Sequence, residues 1–155
     1  MSRELIVAWA GRHRRDEWER LCARYRERVV GPWSVRDLPV RSRAAAAAPA
    51  RRREEGRALL AALPDPCWTV ALDAGGRQRS SRQMASWLEE LLTRWPHPVA
   101  FLLGSDVGLS REVVTGARER LSLGRLTLPH NLARLVLYEQ LYRCATIRAG
   151  MRYDR

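Results

Sequence analysis

The chain has 155 residues, a length suited to one domain able to bury roughly two-thirds of the surface its unfolded form exposes. All 28 of its Lys-plus-Arg residues are arginine, and against 17 acids they leave a net charge of +11. That balance favours a polyanionic partner such as RNA. No apolar run approaches the length of a membrane span, and the N-terminus lacks the layout of a signal peptide, so a cytoplasmic protein that avoids membranes is expected.

In chain order, Glu4–Ala10 is a short apolar run ending at Gly11, a buried strand by pattern. Helical spacing follows over Asp16–Val29, with Asp16 as N-cap and Trp18, Leu21, Cys22, Tyr25 and Val29 on one stripe. Trp33–Leu38 alternates as a second strand, and Pro39–Pro49, containing Ala44 through Ala48, is a connection that can fray into helix. Ala50–Leu63 is helical, with Ala58, Leu59 and Ala62 apolar, and Pro64 ends it. Trp68–Asp73 is a strand closed by an acid and Gly75-Gly76. Ser81–Trp95 is an amphipathic helix carrying Met84, Trp87, Leu88, Leu91 and Leu92. Val99–Leu103 is the most strand-like run, and Gly104–Gly108 follows at once. Ser110 caps a helix reaching about Glu119, Leu123–Leu128 reads as a short strand, and Asn131–Ala149 as a long helix.

Strands alternating with helices at this spacing predict a single α/β domain over residues 1–155, a parallel sheet with helices on both faces. Ligands of such sheets bind at the carboxyl ends of strands, which marks Asp73–Gly76, Gly104–Gly108 and the Leu121–His130 segment. The loop from Gly104 to Gly108 is no dinucleotide fingerprint, and taken alone it is better explained by an ordinary tight turn.

The residues Gly104-x-x-x-Gly108-Leu109-Ser110, Leu121-Ser-Leu-x-x-Leu-Thr-Leu-Pro-His130, Leu132-Ala-Arg134 and Glu139-Gln-Leu-Tyr-Arg143 resemble the family of ribosomal RNA large subunit methyltransferase H. The opening strand, the Leu72-Asp73-x-x-Gly-x-x-x-Ser80-Ser81 segment and the terminal Tyr153-x-Arg155 are similar too, so the resemblance covers essentially the whole chain. It implies a SPOUT-type fold with a C-terminal trefoil knot, which general folding rules would have excluded. It also implies a homodimer that uses S-adenosyl-L-methionine to methylate N3 of a pseudouridine in large-subunit (23S) ribosomal RNA. By position, the cofactor pocket would comprise Leu72, Gly104, Ser105, Leu123, Gly124, Arg125, Leu126, Thr127 and Leu128, holding the nucleoside through backbone groups and apolar walls. Arg143 matches the position of an arginine that stabilises charge on the base. The tail Tyr153, Asp154 and Arg155 matches the segment that contacts the target nucleotide from the partner subunit.

Two positions depart from the family pattern. Ser105 stands where a second glycine is usual, and Asp154 where histidine is usual. They keep two further readings open: an RNA-binding relative weak in catalysis, or a methyltransferase with another RNA target.

Other conspicuous residues read as structural. Trp9, Trp18, Trp68 and Trp87 fall on core positions, while Trp33 and Trp95 remain open. Cys22, Cys67 and Cys144 are too scattered for a disulfide framework or a metal knuckle, and His13 and His97 have no partner at ligand spacing, so no metal is expected. His130 is placed at the mouth of the knot, and Leu135, Tyr138, Leu141, Tyr142 and Ala145 form an apolar stripe on the last helix.

Overall fold

The computed structural model describes residues 3–11, 16–29, 31–41 and 47–153. His13, Ala44 through Ala46, Asp154 and Arg155, all singled out in the sequence, lie outside the described residues. Ten elements follow in order: β1 (Arg3–Ala10), α1 (Glu17–Arg26), β2 (Trp33–Val40), α2 (Ala48–Ala62), β3 (Trp68–Gln78), α3 (Ser81–Arg94), β4 (Val99–Leu103), α4 (Arg111–Gly116), β5 (Glu119–Ser122) and α5 (His130–Arg148). The five strands form one sheet in the order β2-β1-β4-β3-β5, and every neighbouring pair is parallel.

Strand alternation assigns the two layers. Leu5, Val7 and Trp9 of β1, with Val99, Phe101 and Leu103 of β4, face α1, α3 and α5, joining Cys22, Leu88, Leu91 and Tyr138 in the larger core. Ile6, Ala8, Ala100 and Leu102 face the other way, against Leu59 of α2 and Val113 of α4. β4 is buried along its whole length, as a central strand covered on both faces must be. Pro39 falls in β2, an edge strand, where a missing N–H need not break a ladder.

Helix starts follow local chemistry. Asp16 accepts from the Glu19 amide at 3.0 Å, Ser80 and Gln83 form a reciprocal capping box, and Ser110 accepts from the Val113 amide at 3.3 Å. Among the described residues, no helix is long and apolar enough to cross a membrane.

Several sequence expectations are corrected. Leu123–Leu128 is not a strand: β5 lies earlier, at Glu119–Ser122, because that stretch matches the register of β3. Ser122 Oγ then hooks the chain out of the sheet, accepting from the Gly124 amide at 3.2 Å and donating to its carbonyl at 3.0 Å. The pairing of β5 also shortens α4, which stops at Gly116 instead of reaching Glu119. α1 ends at Arg26 rather than Val29, and Leu21 of its supposed apolar stripe is exposed, as is Ala62 in α2. Of the tryptophans, Trp9 and Trp33 are buried, whereas Trp18, Trp68, Trp87 and Trp95 are half-buried.

Candidate functional site

At the carboxyl ends of β3 and β4 the surface opens into a cavity of about 590 Å³, walled by Leu72, Leu103, Gly104, Leu109, Leu128 and His130 among others. A second recess of about 220 Å³ shares Leu72, Thr127, Leu128 and Ala133 with it and extends to Asp73, Leu123, Gly124 and Leu126. The two are lobes of one cleft.

The first wall is the turn after β4. A Cβ on Gly104 would stand 2.4 Å from the carbonyl carbon of Gly108 and 2.5 Å from the Leu109 nitrogen, so only glycine lets the chain fold back this closely. Gly108 closes the turn at φ +78°, donating its amide to the Ser105 carbonyl at 2.9 Å. The Ser105 hydroxyl donates to Glu55 Oε2 at 2.8 Å and accepts from the Val107 amide at 3.3 Å. The added side chain at this position is thus tied to α2. Arg51 and Arg52 complete the fastening, Arg51 pairing with Asp106 and Arg52 Nε donating to the Val107 carbonyl at 2.6 Å. The Arg51 hydrogen bond holds the Asp106 carboxyl below its ordinary value.

The second wall is residues 123–128. Outside any ladder, this stretch does not spend its amides and carbonyls on strand pairing, and α5 begins directly behind it at His130. Apolar side chains and backbone groups free of strand pairing are the chemistry of a pocket for a neutral heterocycle.

Eight of the sequence-assigned cofactor residues line this cleft: Leu72, Gly104, Ser105, Leu123, Gly124, Leu126, Thr127 and Leu128. Arg125 does not; it is exposed and lines neither lobe. Leu103, Asp106, Leu109, Pro129 and Ala133 also line the cleft without having been assigned to the pocket, although Asp106 and Pro129 fall in the marked strand-end segments and Leu109, Pro129 and Ala133 within the motifs that carried the resemblance.

The two proposed catalytic residues that are described, Arg143 and Tyr153, gather elsewhere. Arg143 pairs with Glu139 at 2.7 Å and stacks its guanidinium over the Tyr153 ring at 4.9 Å. The Tyr153 hydroxyl donates to Glu139 at 3.2 Å, and its ring packs edge-on against Tyr142 at 4.7 Å. Burial first, then the Glu139 charge, pushes the Tyr153 phenol above its usual value, so it stays protonated at neutral pH. Arg143 lies on α5 well beyond His130, about 20 Å along the helix at its standard rise. One protomer therefore does not bring Arg143 and Tyr153 to its own cleft.

Further along the same surface, Ser81, Ser122, Gly124 and Gln140 border another recess of about 330 Å³. Near the cleft's rear wall a charged network locks α5 in place. Arg134, with its side chain 7% exposed, reaches Glu19 at 2.5 Å and Asp37 at 3.2 Å and covers the Trp9 ring at 4.1 Å.

Residues 3–154 match the protein family described as "Predicted SPOUT methyltransferase". The ribosomal RNA large subunit methyltransferase H of Nitratidesulfovibrio vulgaris (strain DP4) is 36% identical over 152 residues, spanning 97% of both chains. That of Gloeobacter violaceus is 39% identical over 143 residues, 92% of this chain and 93% of the relative. That of Listeria monocytogenes EGD-e is 43% identical over 102 residues, 66% of this chain and 64% of the relative. Among solved structures, a probable methylase family protein from Haemophilus influenzae Rd KW20 superposes with a TM-score of 0.56 at 10% identity, over 98% of this chain and 70% of that one. At that identity the likeness concerns the fold.

Proposed function

This chain belongs to the SPOUT methyltransferase family, among the ribosomal RNA large subunit methyltransferase H proteins, and from that premise we propose that it methylates large-subunit ribosomal RNA at N3 of a pseudouridine, with S-adenosyl-L-methionine as donor. The observation that carries this reading is the two-lobed cleft at the ends of β3 and β4. Its volume falls in the range of cofactor pockets, roughly 300–1,000 Å³. The donor fits the residues present: Leu72, Leu103, Leu109 and Leu128 offer apolar walls for an adenine, and Gly104 is the residue that lets the turn forming one of those walls close on itself.

When bound, S-adenosyl-L-methionine supplies an electrophilic methyl sulfonium. The protein's own work is positioning and charge management. The walls exclude water and fix the geometry of approach. An arginine beside the acceptor base stabilises the negative charge that grows on its carbonyls as N3 loses its proton. Arg143 is the residue for that role, with Tyr153 stacked beneath it and Glu139 orienting both. Because these groups stand about 15 Å along α5 from Ala133, where the helix borders the cleft of their own chain, the reading requires a homodimer. In it, Arg143 and Tyr153 of one copy face the cleft of the other, and Asp154 and Arg155 are proposed for the same site by sequence position alone. The trefoil knot belongs to the same proposal, with residues 123–129 and α5 as the threaded segment.

The test is calorimetric titration with S-adenosyl-L-methionine and with its demethylated product, followed by mass mapping of RNA from unmethylated large ribosomal subunits treated with the protein. Micromolar binding and a single nucleotide gaining one methyl are expected. Absence of binding by calorimetry and by a second method sinks the enzyme reading and leaves an RNA-binding relative.

A further inference from the structure

A third opening, about 380 Å³, lies beside α3 and is lined by Arg77, Arg79, Arg82, Gln83, Ser86, Trp87 and Glu90. Three arginines and one glutamate line it. Arg79 is the unusual member. Its side chain is 5% exposed, its guanidinium stacks over the Trp87 ring at 4.5 Å, and its Nη1 is buried with no hydrogen-bond partner.

Its ion pair among the described residues is a long one, 3.5 Å to Glu119, and that carboxylate is already shared. Glu119 accepts from the indole N–H of Trp68 at 3.0 Å and of Trp87 at 3.1 Å. Burial draws the Arg79 guanidinium below its usual value; Glu119 opposes that and the neighbouring Arg77 adds to it. A buried guanidinium with an unspent donor, served by one distant and shared carboxylate, is completed by a further acceptor, and an anion is the natural one. Because the ring already holds Arg79 in place, little side-chain freedom remains to be lost when an anion arrives.

Position selects the anion. Arg79 also lines the recess bordered by Ser81, Ser122 and Gln140. That recess shares Leu121, Leu123 and Gly124 with the smaller lobe of the cofactor cleft. An unbroken track of surface thus runs from the cofactor cleft to the arginines.

We propose that Arg77, Arg79 and Arg82 hold the phosphodiester backbone of the RNA strand whose target nucleotide enters the cofactor cleft. The proposal rests on the RNA methyltransferase reading and adds the path by which the strand arrives. Arg79 supplies a preset contact, and Arg77 and Arg82, both exposed, supply the adjustable ones.

The experiment measures anisotropy of a short fluorescein-labelled single-stranded RNA over a range of salt. It compares the full-length protein with a double variant, Arg77→Gln/Arg82→Gln, that leaves Arg79 and its stacking in place. A control variant of equal charge, Arg24→Gln/Arg57→Gln, alters exposed positions of α1 and α2. Loss of two phosphate contacts is expected to weaken binding roughly tenfold at low salt and to flatten the log–log salt slope by about 1.4, while the control changes little. Arg79→Leu is expected to act in the same direction. Affinities and slopes of the cleft variants equal to those of the control overturn the proposal.

Titration of each variant with S-adenosyl-L-methionine reports whether the cofactor cleft is intact. Methyl transfer by the unaltered protein to large ribosomal subunits is scored separately. Its absence would defeat the enzyme reading, and the anisotropy comparison would still decide the RNA track.

Discussion

The Ser105 hydroxyl donates to Oε2 of Glu55 at 2.8 Å, joining residues 50 positions apart and fastening the turn after β4 to α2. Glu55 is 3% exposed and is also paired with Arg51 at 3.3 Å, so the acceptor is a buried carboxylate held on more than one side. Ser105→Gly returns the position to the family's usual residue but removes a charge-assisted bond and adds backbone freedom. A loss of about 2 kcal/mol is expected, with a fall in melting temperature of roughly 4–8 °C. S-adenosyl-L-methionine affinity should weaken by a few-fold, since the turn is a wall of the cleft. Unchanged melting would show that the bond contributes nothing net.

Gly104 and Gly108 bracket the same turn but are expected to differ sharply on substitution. Gly104→Ala drives a Cβ into the backbone at Gly108 and Leu109, where nothing can yield except the wall itself. Cofactor binding should be lost with a destabilisation of roughly 3 kcal/mol. Gly108→Ala meets no atom within 4 Å and is opposed only by its left-handed backbone, at about 1–2 kcal/mol. Paired thermal melts and cofactor titrations check this; equal effects at the two sites would contradict the packing.

Acid sensitivity is expected from Glu19. Burial pushes its carboxyl up, but hydrogen bonds from Arg134 and Arg26 outweigh that and hold it below its ordinary value. A depressed carboxylate contributes stability above its unfolded value and loses it as pH falls through the folded one. Melting temperature should be flat from neutrality to about pH 5 and decline below roughly pH 4. Glu19→Gln should remove part of that decline and lower neutral-pH stability by roughly 1–2 kcal/mol. A variant with the same acid profile as the parent would assign the decline to other groups.

The cysteines are expected to be inert. Burial pushes the Cys22 and Cys67 thiols to about 11 and Cys144 to about 12. Iodoacetamide at pH 8 should label all three at roughly a hundredth or less of the rate of an open thiol, because little thiolate exists. Partly exposed Cys67 should react first. Mass spectra over time distinguish this from rapid labelling of Cys22, which would mean that α1 opens readily.

A composite dimer site makes a complementation prediction. Arg143→Ala alone should bind cofactor but transfer no methyl groups, and Leu72→Trp, which fills both lobes of the cleft, should bind none. Mixed and allowed to exchange subunits, the two should recover about a quarter of full activity, the share of intact sites in random dimers. No recovery would place both groups in one chain's site.

The sequence by itself determined the features settled within a few residues. β4 is readable from Val99–Leu103 because an unbroken apolar run bounded by proline and glycine has no other stable environment. The starts of α1 and α4 are readable from Asp16 and Ser110 because a capping oxygen needs only an amide three residues on. The motif from Leu121 to His130 marked one wall of the cleft although the strand expected there lies earlier, since the same residues that leave the sheet at Ser122 become the wall.

Only tertiary structure decided the rest. β5 falls at Glu119–Ser122 because β3 supplies the matching ladder there, and no local pattern encodes a partner strand. Glu55 and Arg79 look like ordinary surface charges in sequence, yet each is buried by segments distant in the chain: the Ser105 turn for one, Glu119 for the other. Likewise, Arg143 and Leu72 are assigned to one reaction by sequence, while the rigid length of α5 holds Arg143 away from the cleft that Leu72 lines. Caps and periodicity act over a single turn or a pair of residues. The environment of a charge, and the reach of a helix, are set by what the folded chain brings beside them.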